Sequence, residues 1–143
     1  MDSSGTKYAD VILPLPLEGF FTYLVPREME NDIVVGGRVV VQFGAKRFYS
    51  ALVHSIHYQC PEGYEIKNIE SLLDREAVVP TACFALWDWI AGYYHCSIGE
   101  VYKAALPSGL KLESETSISL NVDFVEDVND KLSSKEEEVF QVI

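Results

Sequence analysis

Apolar and polar residues alternate over short runs in the first half of the chain and change to a helical period after Pro80. Tyr8 to Leu13 (YADVIL) reads as a strand. The prolines at 14 and 16 fit a strand end or edge, because proline lacks an N–H and fixes φ. Leu13 to Pro26 (LPLPLEGFFTYLVP) is then an extended arm that turns at Glu18-Gly19 and enters a second strand, Phe21 to Val25. Phe20 and Phe21 are neighbours, so a strand sends them to opposite faces; one can fill a core and the other needs a different partner. Arg27 to Asp32 has no periodic apolar face and reads as a loop. Gly36-Gly37 opens a third strand, Arg38 to Phe43, and Gly44 to Arg47 is a hairpin connection. Phe48 to Tyr58 alternates as a long strand, with Phe48, Ser50, Leu52, His54 and Ile56 on one face and Tyr49, Ala51, Val53 and Ser55 on the other. Cys60 to Tyr64 is a turn, and Ile66 to Leu73 is too short for its pattern to choose between strand and helix. Strands at such intervals predict a small β-barrel.

After Pro80, apolar residues recur at Phe84, Trp87, Ile90, Ala91 and Tyr94, a helical stripe with Thr81 at its N-cap or Pro80 just before its first turn. A shorter helix starts at Ser97–Glu100 and runs through Ala105, ended by Pro107-Ser108-Gly109. The aromatics of these helices are expected in the core. Thr116 to Asp123 alternates as a last strand. The expected division is a disordered N-terminus over 1–7, a domain over 8–124, an acidic linker over 125–132, and the start of a second domain over 133–143. That last piece begins as a capped helix at Ser133 or Ser134 and leaves Val139, Phe140 and Ile143 unpaired.

Composition narrows the class. At 143 residues, nearly half of them apolar, the chain suits one domain with a real core plus a short appendage. No apolar run approaches the ~18 residues of a membrane span. The N-terminus lacks the pattern of a signal peptide. Cys60, Cys83 and Cys96 are odd in number and without C-x-x-C spacing, which fits buried reduced thiols in a cytoplasmic protein. The net charge of −11 argues against a broad nucleic-acid-binding surface. Residues 111–143 hold nine acids and three lysines, but residues 1–110 are also acidic, so any contact with nucleic acid must be a local site.

Candidate chemistry is sparse. Neither G-x-x-x-x-G-K-[ST] nor G-x-G-x-x-G occurs, so no phosphate-cradling loop for ATP or NAD is visible. His54 and His57 point to opposite faces of their strand, which disfavours a shared metal, and His95 reads as structural at a helix end. No Ser-His-Asp set can be defended from spacing. What remains is a binding surface: Phe20-Phe21, Gly44 beside Lys46 and Arg47, and Lys67. Aromatics offer a stacking face to a base, lysine a point charge for phosphate, and glycine a close backbone approach. Composition alone favours the plainer assignment of core aromatic, hairpin glycine and solvated lysine.

Three stretches together carry a resemblance: ADVILPLPLEGFFTYLVP, GGRVVVQFG and WIAGYYHCSIGEVYKAALP. In this order, from Tyr8 to Pro107, they resemble the N-terminal part of the bacterial primosomal protein N′ (PriA) family of replication-restart helicases. The tail KLSSKEEEVFQVI looks like the first helix of the winged-helix domain that follows in that family. The resemblance implies a fold that is mainly β, a small OB-like β-barrel with C-terminal helices. It implies a DNA-binding module that takes the 3′-OH end of the nascent leading strand at a stalled fork. By position it implies Phe21 as the aromatic of a pocket, Thr22 as the polar residue after it, Gly44 as the glycine that closes on the nucleotide, and Lys67 as the pocket lysine. Lys46 and Arg47 are added as candidate phosphate contacts. The best-known members carry aspartate where Thr22 stands, and threonine lacks that charge-assisted acceptor. No catalytic site and no cofactor are expected in this stretch, ATP, magnesium and zinc being implied only for downstream helicase domains. The implied partners are forked DNA and, through the full-length protein, other primosome proteins and single-stranded-DNA-binding protein. The alternative is a protein-interaction module that docks the helicase core or other primosome proteins.

Overall fold

The prolines of the arm, the Gly36-Gly37 turn and the Gly44 hairpin cut the first half of the chain into five strands. In the computed structural model, which describes residues 5–63 and 65–111, these are β1 (Tyr8–Ile12), β2 (Phe21–Leu24), β3 (Arg38–Phe43), β4 (Arg47–His57) and β5 (Ile69–Leu72). All neighbours are antiparallel, in the order β2-β1-β4-β3-β5. The sheet curls until its two edges touch: Leu24 and Asn68 form one parallel bridge, with the Leu24 N–H donating to the Lys67 carbonyl at 2.9 Å. Helices α1 (Ala82–Tyr94) and α2 (Ile98–Ala105) follow, giving the small OB-like barrel with appended helices that the sequence predicts. Ile66 to Leu73 resolves in favour of a strand.

Two apolar cores share β1 and β4. Inside the barrel lie Ala9, Val11 and Leu13, Tyr23 and Val25, Val39 and Val41, Tyr49, Ala51 and Val53, with Ile69. Outside it, Ile12 and Leu52 pack against Phe84 and Trp87 of α1 and Ile98, Val101 and Tyr102 of α2. Strands β1 and β4 are thus covered on both faces at Val11–Ile12 and Ala51–Val53, where their sequence runs continuously apolar. Tyr102 is fully buried between barrel and helices, and its hydroxyl donates to the Ser50 carbonyl at 3.0 Å.

The strict alternation expected along β4 breaks at His54. Asp10 pairs with Ser55 but Val11 pairs with Val53, so one residue is extra on β4. A β-bulge of this kind flips the faces beyond it. Ile56 therefore packs against the interior core and Ser55 turns outward to Asp10, the reverse of the expectation. The displaced His54 ring stacks on Phe20 at 4.1 Å and lies 4.9 Å from Phe84, which seats the arm against α1.

Other expectations shift in detail. The Arg27–Asp32 loop contains a 3₁₀ turn over Arg27–Met29. Thr81 precedes α1 without a side-chain cap, whereas Ser97 and Glu100 form a full capping box on α2. Tyr94 is exposed rather than part of the buried stripe, as are Trp89 (60% exposed) and Tyr93 (65%), so the aromatics of α1 are only partly core. Cys60 is exposed and Cys83 and Cys96 half-buried, all three as free thiols. Lys7 is tied down, its ammonium donating to the Glu30 carbonyl at 2.6 Å. The strand expected at Thr116–Asp123, the linker over 125–132 and the helix over 133–143 lie outside the described residues. Among the described residues, no helix is long and apolar enough to cross a membrane.

A partly buried ion pair closes the barrel end. Arg38 donates through Nε and Nη2 to the two Asp74 carboxylate oxygens at 2.7 and 2.9 Å, and through Nη1 to the Leu110 carbonyl at 2.6 Å. The Arg38 guanidinium holds the Asp74 carboxyl below the usual carboxylate range, against the upward push of burial. A depressed carboxylate contributes stability above its unfolded pKa of about 3.9, and that stability is lost as pH falls through the lower folded value. The expected outcome is that Asp74→Asn lowers unfolding free energy at pH 7 by on the order of 2 kcal/mol. The variant should also lose less stability than wild type between pH 4 and pH 2, measured by urea denaturation across pH.

Candidate functional site

The β2/β5 seam closes only at Leu24, and a pocket opens where it fails to close. The pocket holds about 170 Å³ and is lined by Phe21, Thr22 and Tyr23 of β2, Gln42, Phe43 and Gly44 at the end of β3, and Glu65 and Lys67 before β5. This is below the ~300 Å³ typical of drug-sized sites, which suits one ring and its immediate substituents. Phe21, Thr22, Gly44 and Lys67, scattered over 47 positions of sequence, all reach this one cleft.

Each wall has a local cause. Phe21 and Phe43 end neighbouring edges of the interior core and meet edge to face, centroids 5.0 Å apart at 75°, so aromatic surface lines the mouth. Gly44 turns the β3–β4 hairpin at φ +71°, a left-handed conformation that costs most side chains roughly 1–2 kcal/mol. No atom lies within 4 Å of where its Cβ would be, so the turn demands glycine for its backbone and leaves open space beside it. Gln42 braces the same turn, donating to the Ala45 carbonyl at 2.8 Å while its own carbonyl accepts from the Tyr23 hydroxyl at 3.0 Å. The Lys67 ammonium donates to the Gly44 carbonyl at 2.6 Å, which holds one positive charge across the cleft from the rings.

Thr22 differs from the expectation in how it takes part. Its hydroxyl donates to the Asp10 carboxylate on β1 at 2.6 Å. Asp10 also accepts from Ser55 at 3.1 Å and meets His57 Nε2 at 3.1 Å. Partial burial pushes the Asp10 carboxyl up, but the bonds from Thr22, His57 and Ser55 outweigh it and hold it below the usual carboxylate range. The Thr22 side chain is therefore already engaged by a carboxylate one strand away.

Lys46 and Arg47 are exposed on the hairpin beyond Gly44 and are not among the lining residues. Phe20, exposed and stacked on His54, is outside the pocket as well. Sequence reasoning missed four lining residues. Tyr23, Gln42 and Phe43 belonged to quoted motifs, so their signal was present, whereas nothing in the sequence marked Glu65. Among the described residues there is no group of three side chains able to hold a metal ion. The site combines stacking surface, a fixed cation and main-chain polar groups, which is chemistry for binding.

A family model described as the 3′DNA-binding domain (3′BD) of PriA matches residues 10–107. The chain is similar to the replication restart protein PriA of Haemophilus influenzae, 33% identical over 109 residues that make up 73% of this chain and 14% of that protein. It is 30% identical to the PriA of Synechocystis over 125 residues, 85% of this chain and 15% of that protein. The PriA of Buchnera aphidicola from Schizaphis graminum is 29% identical over 101 residues, 71% of this chain and 14% of that protein. The chain thus spans about a seventh of the length of these curated relatives.

Proposed function

Since the chain belongs to the PriA 3′DNA-binding domain family, we infer that its seam pocket seats the 3′-OH terminal nucleotide of a DNA strand. The single observation that carries this reading is the convergence of Phe21, Thr22, Gly44 and Lys67 on one ring-sized cleft. A base stacks against the Phe21–Phe43 surface, and Lys67 supplies charge for the preceding phosphate. A cleft of this size suits a single nucleotide, and on this reading an end is accepted where an interior nucleotide is not. Such a site needs few cations, which reconciles DNA binding with a chain of net charge −11.

At a stalled fork the natural ligand is the nascent leading-strand end. We assign unwinding, ATP and zinc to parts of the full-length protein outside this chain. Contacts with other primosome proteins and single-stranded-DNA-binding protein are assigned there too, in the bacterial cytoplasm. Linkage to those parts raises a weak local affinity through effective concentration. The test is fluorescence anisotropy with matched oligonucleotides ending in 3′-OH or 3′-phosphate. Wild type should prefer the 3′-OH end by at least about tenfold, and Lys67→Ala should weaken binding about five- to tenfold, the scale of one charge-assisted contact. Equal affinity for the two ends sinks the pocket reading.

A second reading, docking of a protein partner, has one observation in its favour. Trp89 and Tyr93 stack at 5.2 Å on the solvent face of α1, beside exposed Leu86. This surface carries no pocket residue, so Trp89→Lys should leave DNA affinity within twofold while weakening any complex with the helicase part of the protein.

A further inference from the structure

We propose that the groove between the proline arm and the α1–α2 corner docks an arginine-bearing segment of another polypeptide. The groove holds about 600 Å³, within the ~300–1,000 Å³ of ordinary ligand sites. The arm supplies Glu18 and Phe20, α1 supplies Asp88 and Gly92, and the start of α2 supplies Glu100. It shares no lining residue with the seam pocket, so it stands apart from the DNA-end reading above. It also differs from the Trp89–Tyr93 surface, since Asp88, Gly92 and His95 form a separate stripe of α1 at helical spacing.

Two separate features make the groove a place for positive charge. Its charged groups have one sign: Glu18, Asp88 and Glu100 line it, and among the described residues neither a lysine nor an arginine does. The Glu18 and Asp88 carboxylates make no hydrogen bond or ion pair among the described residues. The Ser97 N–H and hydroxyl donate to Glu100 Oε2 at 2.9 and 3.0 Å and hold that carboxyl below the usual carboxylate range, so it stays ionised with Oε1 left for a second donor. The other feature is the end of α1. Its Ala91 carbonyl takes both closing bonds, from the His95 N–H and from the Cys96 N–H at 3.1 Å. The carbonyls of Gly92, Tyr93 and Tyr94 receive no backbone N–H among the described residues, and the last turn has no basic residue to offset them. Such an end carries the negative pole of the helix dipole, and here Gly92 and His95 bring it to the groove.

These features select the occupant. A phosphate backbone is repelled by a field of this sign. Residues 111–143 of the same chain, with nine acids and three lysines, are repelled as well. Among the described residues no three His, Cys, Asp or Glu side chains come together to hold a metal ion, so the carboxylates are spaced for something larger. No atom lies within 4 Å of where a Gly92 Cβ would be, which leaves room for a chain to pass. Arginine suits the site better than lysine. Its planar fork bonds carboxylate and carbonyl oxygens in pairs and lies flat against an aromatic ring, which Phe20, 43% exposed, supplies.

The test is an amide NMR titration of the 143-residue chain with the capped peptide Gly-Ser-Arg-Gly-Arg-Ser-Gly and with its citrulline counterpart, which keeps the shape and loses the charge. The arginine peptide should give saturable shifts at residues 18–20, 92 and 95–98. The citrulline peptide should bind about tenfold more weakly, at about threefold for each exposed charge lost. Glu18→Gln combined with Asp88→Asn should weaken the arginine peptide by the same factor and leave affinity for a 3′-OH oligonucleotide within about twofold. Both side chains are exposed, so the fold should be unchanged, and unmoved resonances outside the groove check it. Equal affinity for the two peptides overturns the proposal, because charge is then not what is recognised. So do shifts of equal size at Glu28 and Glu76, which lie outside the groove, or no saturable shift at all. An oligonucleotide that shifts residues 92–98 overturns it in favour of DNA. A wild-type dimer in sedimentation that the double variant dissolves overturns it in favour of a second copy of the chain.

Discussion

Replacing Phe21 by alanine is expected to weaken binding of a 3′-OH oligonucleotide by about ten- to a hundredfold. Base–aromatic stacking is worth roughly 1–3 kcal/mol per base, and each 1.4 kcal/mol is a factor of ten. Phe21 is the ring that both meets Phe43 edge to face and opens to the pocket, so its loss removes the stacking surface and widens the cleft. The ring also packs against the interior core, so stability must be followed in parallel. Phe21→Leu serves that purpose: it keeps most of the apolar volume and lacks a π face. Anisotropy should rank wild type above leucine and leucine above alanine, while urea denaturation gives wild type and leucine within about 1.5 kcal/mol of each other. An alanine variant that binds within twofold of wild type contradicts a stacking role.

The largest stability effect is expected at Gly99. A Cβ there would overlap the carbonyl oxygens of Leu13 and Leu15, because the first turn of α2 lies directly on the arm. The Ser97 hydroxyl reaches the Leu15 carbonyl at 3.4 Å from the same turn. The arm carries its prolines at 14 and 16 and leads straight into Phe21, so this contact ties the helices to the pocket wall. Gly99→Ala should cost about 3 kcal/mol, the scale of overpacking against backbone that has nowhere to move. Gly92→Ala is the comparison, since it sits inside α1 with no atom within 4 Å of a new Cβ and should be neutral or stabilising by up to about 1 kcal/mol. Chemical denaturation of both variants checks this, and a Gly99→Ala chain within 0.5 kcal/mol of wild type contradicts the packing described.

The role of Gly99 shows how much of this fold is legible in the sequence. The G of the YYH-x-x-x-G-x-V stretch and the L-P-x-P arm, which the sequence presents as separate motifs, are two sides of one contact. Strand positions were readable because proline and glycine punctuate them, and the gathering of Phe21, Gly44 and Lys67 followed from the family resemblance. The bulge at His54 was not readable. One inserted residue inverts the faces of Ser55 and Ile56 without changing the composition of the strand. Helical spacing likewise marked Tyr94 as apolar stripe and could not say that no partner covers it.

The commitment of the Thr22 hydroxyl to Asp10 was hidden for a related reason. It depends on which residue faces which across β1 and β2, a register that the eight residues of intervening arm leave open. Phe20 is the counterpart case. Alternation required it to oppose Phe21, yet only the bulged His54 gives it a stacking partner outside the barrel.

The central claim is that DNA meets this chain at the β2/β5 seam. It is tested most directly by a two-dimensional amide NMR titration of the 143-residue chain with a short 3′-OH oligonucleotide. Saturable shifts are expected at residues 21–23, 42–44 and 65–67, with Leu86, Trp89 and Tyr93 unmoved. Shifts confined to α1, or to the Lys46-Arg47 hairpin with Phe21 and Gly44 silent, would contradict it.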